Sequence, residues 1–138
     1  MNSSPTTAQR DSNPKDGILV IDDEALVRWT LSKVLTEAGF TVQCCRDGAE
    51  ARRALESTHF ALMLTDYRLP DTTGSQLADL AHRLSPDTVV FMLTAEDKFQ
   101  LEAAGNNLNV DAFFGKPFEI DALVHSVRKH LKTAVSVH

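Results

Sequence analysis

Cysteine is scarce in this chain, and basic charge is in the minority. The two cysteines, Cys44 and Cys45, are adjacent. Neighbours on a strand point to opposite faces, so a disulfide between them would be strained. With no His or further Cys nearby they make a poor metal site, and they read as two small apolar residues. Lys and Arg number 14 against 19 Asp and Glu, a net charge of −5. That balance excludes direct nucleic-acid binding as the work of this domain. No apolar run approaches the ~20 residues that a membrane span needs. The opening residues Met1-Asn2-Ser3-Ser4-Pro5-Thr6-Thr7 lack the apolar centre of a secretory signal. The expectation is a soluble, cytoplasmic protein without membrane contact. Its 138 residues suit one domain with a real core.

What is present is an alternation. Residues 1–16 are rich in Ser, Thr, Asn, Pro and Gln and are expected to be a disordered tail. A domain is expected over 17–132, with a frayed end over 133–138. Ile18-Leu19-Val20-Ile21 reads as a strand buried on both faces, and it ends in Asp22-Asp23-Glu24. Val27, Leu31, Val34, Leu35 and Ala38 lie on one helical face between Ala25 and Ala38, with Gly39 as the C-terminal cap. Phe40 to Cys45 alternates as a strand. Asp47 then caps a helix, with Glu50 as its capping-box partner. Ala61 to Thr65 is a second buried strand, cut off at Asp66 by a loop holding Pro70 and Gly74. Leu77, Leu80, Ala81 and Leu84 mark a third helix, which Ser85-Pro86-Asp87 ends. Val89 to Leu93 is a further strand, ending in Thr94-Ala95-Glu96. Phe99, Leu101, Ala103 and Ala104 give a weak fourth helix, cut short at Gly105-Asn106-Asn107. Val110 to Phe114 is the fifth strand candidate, and a last helix from Glu119 carries Ile120, Leu123, Val124, Val127 and Leu131 on one face.

Five β-α repeats with short loops call for a parallel sheet covered by helices on both faces. The predicted fold is α/β, a flavodoxin-like doubly wound (βα)5 sheet with strand order 2-1-3-4-5. Its ligand site should lie at the carboxyl ends of strands 1 and 3. That topology brings Asp22, Asp23, Asp66, Thr94 and Lys116 to one crevice. Carboxylates packed without a cation are costly. All-oxygen ligation favours a hard cation such as Mg²⁺, and there are too few ligands for a closed Ca²⁺ cage. A carboxylate beside Mg²⁺, with Lys and a hydroxyl opposite, suits receipt of a phosphoryl group, with Asp66 as nucleophile.

These segments resemble a response regulator receiver domain of two-component signalling. The resemblance rests on Ile18-Leu19-Val20-Ile21-Asp22-Asp23-Glu24, Asp66-Tyr67-Arg68-Leu69-Pro70 with Gly74, Leu93-Thr94-Ala95, and Gly115-Lys116-Pro117-Phe118. It covers the chain from about Gly17 to Leu131. It implies that Asp66 accepts the phosphoryl group. It also implies that Asp23, Asp66 and the main-chain carbonyl of Arg68 bind Mg²⁺, with Asp22 acting through a water. Thr94 and Lys116 would grip the phosphoryl oxygens. Thr94 and Phe113 would form the switch, although Phe113 has no hydroxyl and can only report burial. The resemblance further implies a phosphohistidine donor on a histidine kinase or histidine phosphotransfer protein. The output would be a changed surface on the fourth helix, fifth strand and fifth helix. That surface would act on a downstream protein target, on an output domain, or in a phosphorylation-dependent dimer.

Arg68 and Glu96 lie two residues past Asp66 and Thr94. Both should overhang the site, where a salt bridge between them would set phosphate lifetime. Trp29 and Tyr67 are read as exposed single aromatics, and Arg28 and Lys33 as solvated residues or kinase contacts. Two other functions compete. A Mg²⁺-dependent phosphohydrolase also uses an Asp nucleophile, but it needs a second Asp where this chain has Arg68. A nucleotide-binding protein needs a Gly-rich phosphate loop after the first strand, and there is none.

Overall fold

Period-2 alternation in the buried strands decides which helix covers which face. In the computed structural model the described residues are 17–97, 100–101 and 109–135, with the side chains of 132–135 excepted. Strands β1 (Gly17–Ile21), β2 (Val42–Cys45), β3 (Phe60–Asp66), β4 (Val89–Thr94) and β5 (Ala112–Gly115) form one sheet. Every pairing is parallel, and the order is β2-β1-β3-β4-β5. Helices α1 (Ala25–Glu37), α2 (Gly48–Ser57), α3 (Gly74–Leu84) and α4 (Ile120–Val135) connect or follow the strands. Here α4 is the last helix expected from the sequence. The weak fourth helix lies outside the described residues, apart from Gln100 and Leu101.

Leu19, Ile21 and Met63 point to the face covered by Ala51, Ala54 and Leu55 of α2 and by Leu77, Ala78 and Ala81 of α3. Ile18, Val20, Leu62 and Leu64 point to the other face, against Leu31 and Leu35 of α1 and Leu123, Val127 and Leu131 of α4. The sheet is therefore doubly wound. All seven residues of β3 are buried. Each large aliphatic side chain removed from water there stabilises the fold by roughly 1.5–3 kcal/mol.

The caps behave as their residue types require. The Asp47 carboxylate accepts from the Glu50 backbone N–H at 2.9 Å, while the Glu50 side chain reaches back to the Arg46 N–H at 2.9 Å. Gly39 has φ of 103°, which a side chain would strain. Most boundaries shift from expectation by a residue or so, and three shifts are worth naming. Phe40 donates to the Leu35 carbonyl and so belongs to the exit of α1, and β2 starts only at Val42. The Asp111 carboxylate takes the Val90 N–H at 2.8 Å, which delays β5 to Ala112. The last helix runs to Val135, past the Thr133 at which fraying is expected.

Tyr67 corrects the sequence reading: it is buried, not exposed. Its N–H donates to the Leu93 carbonyl at 2.8 Å, so the chain still tracks β4 after β3 has ended. That carries the ring into a cluster with Met92 and Leu101. Cys44 is exposed and Cys45 buried, both as free thiols, as expected for neighbours on an edge strand. Among the described residues no helix is long and apolar enough to cross a membrane.

Candidate functional site

Parallel strands deliver their carboxyl ends to one edge, and β1, β3, β4 and β5 end there in Asp22, Asp66, Thr94 and Lys116. Asp22 follows β1 directly. Its N–H donates to the Cys45 carbonyl at 3.1 Å, its Oδ1 accepts from the Glu24 N–H at 2.9 Å, and its carbonyl accepts from Arg28 Nη1 at 2.8 Å. The buried carboxylate is thus hydrogen-bonded within its own loop, as a buried polar group requires. Asp66 is held by the backbone of β3, and its carbonyl accepts from Thr65 Oγ1 at 2.9 Å. Gly74 allows α3 to start against that same carbonyl: a Cβ at position 74 would lie 2.5 Å from it.

Lys116 links the strand ends. Its Nζ donates to Asp22 Oδ2 at 2.8 Å, Asp66 Oδ2 at 3.1 Å and Glu24 Oε1 at 3.3 Å. Its backbone N–H donates to the Thr94 carbonyl at 2.8 Å, which fixes where the side chain starts. Burial opposes the ammonium charge, but the bonds to Asp22 and Asp66 outweigh it and hold Lys116 above its ordinary pKa. Burial pushes the Asp66 carboxyl up. The Lys116 hydrogen bond opposes that, and the Asp22 charge adds to it.

Asp22, Asp23 and Asp66 each offer a carboxylate oxygen within 4.8 Å of the others. Three hard oxygen donors in one place fit a divalent cation such as Mg²⁺. Thr94 is buried, and its Oγ1 accepts from the Glu96 N–H at 3.0 Å, which leaves the hydroxyl proton available to donate. An open cavity of about 280 Å³ is lined by Asp23, Asp66, Arg68, Thr94, Glu96 and Lys116, among others. Arg68 Nε donates to Glu96 Oε2, and the guanidinium lies over the Tyr67 ring. The residues singled out from the sequence are thus brought together, except Phe113. It pairs with Met92 across β4 and β5 and packs against the Tyr67–Met92–Leu101 cluster, away from the cavity.

Two residues were missed. Glu24 is the third acid of the run at the end of β1, and its reach to Lys116 follows from that position. Asp71 caps α2 from a distant loop. No local spacing rule could find it, since its partners lie 22 and 23 residues away.

The family model of the response regulator receiver domain matches residues 18–128. Response regulator MprA of Mycobacterium ulcerans is 30% identical over 115 residues, covering 83% of this chain and 50% of that protein. Transcriptional regulatory protein TctD of Salmonella typhimurium is 31% identical over 122 residues, covering 88% and 54%. The chain therefore spans about half the length of these curated relatives. A CheY-like response regulator receiver domain protein from Methanospirillum hungatei superposes with a TM-score of 0.80 at 25% identity, covering 89% of this chain and 98% of that one. A response regulator receiver protein from Sinorhizobium medicae gives 0.76 at 27% identity, covering 85% and 94%. A doubly wound sheet by itself hosts many functions. The family match spans both faces of the sheet and every strand end that builds the site, and the chain belongs to the receiver domains of two-component response regulators.

Proposed function

We propose that this chain is a phosphorylation-activated switch in which Asp66 accepts a phosphoryl group with Mg²⁺ bound at Asp22, Asp23, Asp66 and the Arg68 main-chain carbonyl. The observation that carries this reading is the Lys116 ammonium, bonded to Asp66 and Asp22 at the rim of a cavity that Thr94 also lines. A carboxylate oxygen of Asp66 attacks the phosphorus of a phosphohistidine. The new O–P bond forms as the P–N bond breaks, and the electron pair returns to the imidazole nitrogen. When bound, Mg²⁺ supplies charge neutralisation for the phosphoryl oxygens. Lys116 contributes a second positive charge, and the Thr94 hydroxyl donates to a phosphoryl oxygen. Drawing Thr94 away from the Glu96 N–H loosens the β4 end, and the half-buried Phe113 ring answers by repacking. This carries the event to the β5 and α4 surface.

The donor is a histidine kinase or histidine phosphotransfer protein. Its docking face is the apolar groove beside the site, lined by Leu26, Val27, Pro117, Phe118 and Ile120, with exposed Trp29 on the same helix. The output is a protein target or a further domain of a longer regulator, acting in the cytoplasm. Arg68 and Glu96 bridge across the cavity and slow the approach of water to the acyl phosphate. The test is beryllofluoride with Mg²⁺, followed by amide NMR. Shifts at Asp66, Thr94, Lys116 and Phe113 that need both reagents support the switch. Their absence in the parent, or their persistence in Asp66→Asn, would contradict it.

A further inference from the structure

The loop between β3 and α3 is closed at its base. The Gly74 N–H donates to the Tyr67 carbonyl at 2.6 Å, and the Leu69 N–H to the Thr72 carbonyl at 3.1 Å. Arg68 and Thr73 thereby face each other as an antiparallel bridge. In that pairing the facing residues do not bond to each other, so the Arg68 carbonyl points out of the loop instead of across it.

The tip of the same loop is fixed from elsewhere. Asp71 Oδ1 accepts from the Gly48 N–H at 2.8 Å, and Oδ2 accepts from the Ala49 N–H at 3.0 Å. These are donors that the first turn of α2 cannot satisfy internally, and an anion is favoured at that end. The fit is close. A Cβ at Gly48 would lie 2.4 Å from Thr72 Cγ2 and 2.9 Å from Asp71 Oδ1. The helix already has its own cap in Asp47, so Asp71 adds a bond between elements and does not simply finish α2.

We infer that Asp71 is a positioning residue: by tying the loop tip to the start of α2, it holds the Arg68 carbonyl and the end of β3 in place for the cation. This rests on the Mg²⁺ reading above. Partners that orient metal ligands are typically worth ~10–100-fold in affinity.

The probe is Mg²⁺ alone, titrated into the full chain and followed by amide NMR, with a urea denaturation curve for each variant. Asp71→Ala removes the tie. Gly48→Ala displaces Asp71 and Thr72 from the other side, although alanine is the better helix former. Asp47→Ala weakens the start of α2 without touching the loop. The expected result is a Mg²⁺ dissociation constant raised about tenfold in Asp71→Ala and Gly48→Ala, and unchanged in Asp47→Ala. An unchanged constant in folded Asp71→Ala, or an equal rise in Asp47→Ala, overturns the inference. If Asp71→Ala does not fold, Gly48→Ala decides alone, and an unchanged constant there overturns it. A parent that shows no Mg²⁺-dependent shifts overturns the metal reading itself, and the inference with it.

Discussion

The ammonium of Lys116 lies 3.1 Å from Oδ2 of Asp66, across a sequence separation of fifty residues. It also bonds Asp22, whose side chain is fully buried. Without a bound cation it is the charge that makes a cluster of carboxylates tolerable. Breaking a buried pair by removing one partner leaves the other charge uncompensated, at a cost of about 3–5 kcal/mol. Lys116→Met is therefore expected to lower the unfolding free energy by about 3 kcal/mol in chelator, measured by urea denaturation. Added Mg²⁺ should return part of the loss. A midpoint equal to the parent's in chelator contradicts this assignment.

Asp66→Asn should have the opposite sign. Burial holds the Asp66 pKa above its ordinary value. The ionised form is then less favourable in the fold than in the unfolded chain. Its stability contribution is full below the unfolded pKa and is lost as pH rises through the folded one. At neutral pH, in chelator, removing the charge should raise the urea midpoint. The gap to the parent should close as pH falls through the carboxylate range. A midpoint below the parent's at pH 7 refutes this. The fold is thus expected to give up stability to keep an ionised acceptor in place.

The Arg68–Glu96 bridge spans the cavity mouth but is largely exposed on the Arg68 side. Such pairs do little for stability, so their effect belongs in a rate. After loading with acetyl phosphate, Arg68→Ala and Glu96→Ala should each lose phosphate several-fold faster than the parent, and the charge-swapped double variant should recover much of the lifetime. High salt should shorten the parent's lifetime towards that of the single variants. Decay rates equal in all four proteins would show that the bridge does not set phosphate lifetime.

Leu26 is 74% exposed and Ile120 37%, both beside the site. If a phosphohistidine protein docks there, Leu26→Ala and Ile120→Ala should slow phosphotransfer from that protein roughly tenfold, as loss of about 1.4 kcal/mol of apolar contact would. Labelling by acetyl phosphate should be unaffected. Equal slowing with both donors would place the defect in the site itself.

The parallel sheet was legible from period and from the β-α alternation, and its order from the flavodoxin-like topology that such an alternation commonly takes. Ile18 to Ile21, Leu62 to Leu64 and Val89 to Leu93 are apolar on both faces, as strands of a parallel sheet covered on both sides are. Once the order is fixed, Asp22, Asp66, Thr94 and Lys116 must meet. Arg68 and Glu96 were paired on the same logic, each two residues past a strand-end residue. Tyr67 was misread because burial after a strand end depends on whether the chain keeps tracking its neighbour, and that is a tertiary contact. Asp71 could not be read at all. An exposed loop carboxylate looks the same whether or not a helix start lies opposite it.

The most direct measurement is the mass of the intact protein after incubation with acetyl phosphate and Mg²⁺, compared with Asp66→Asn and with a sample in chelator. A gain of one phosphoryl group is expected in the parent with Mg²⁺, and none in the variant or in chelator. An unmodified parent, or a phosphoryl group that still appears in Asp66→Asn, would contradict it.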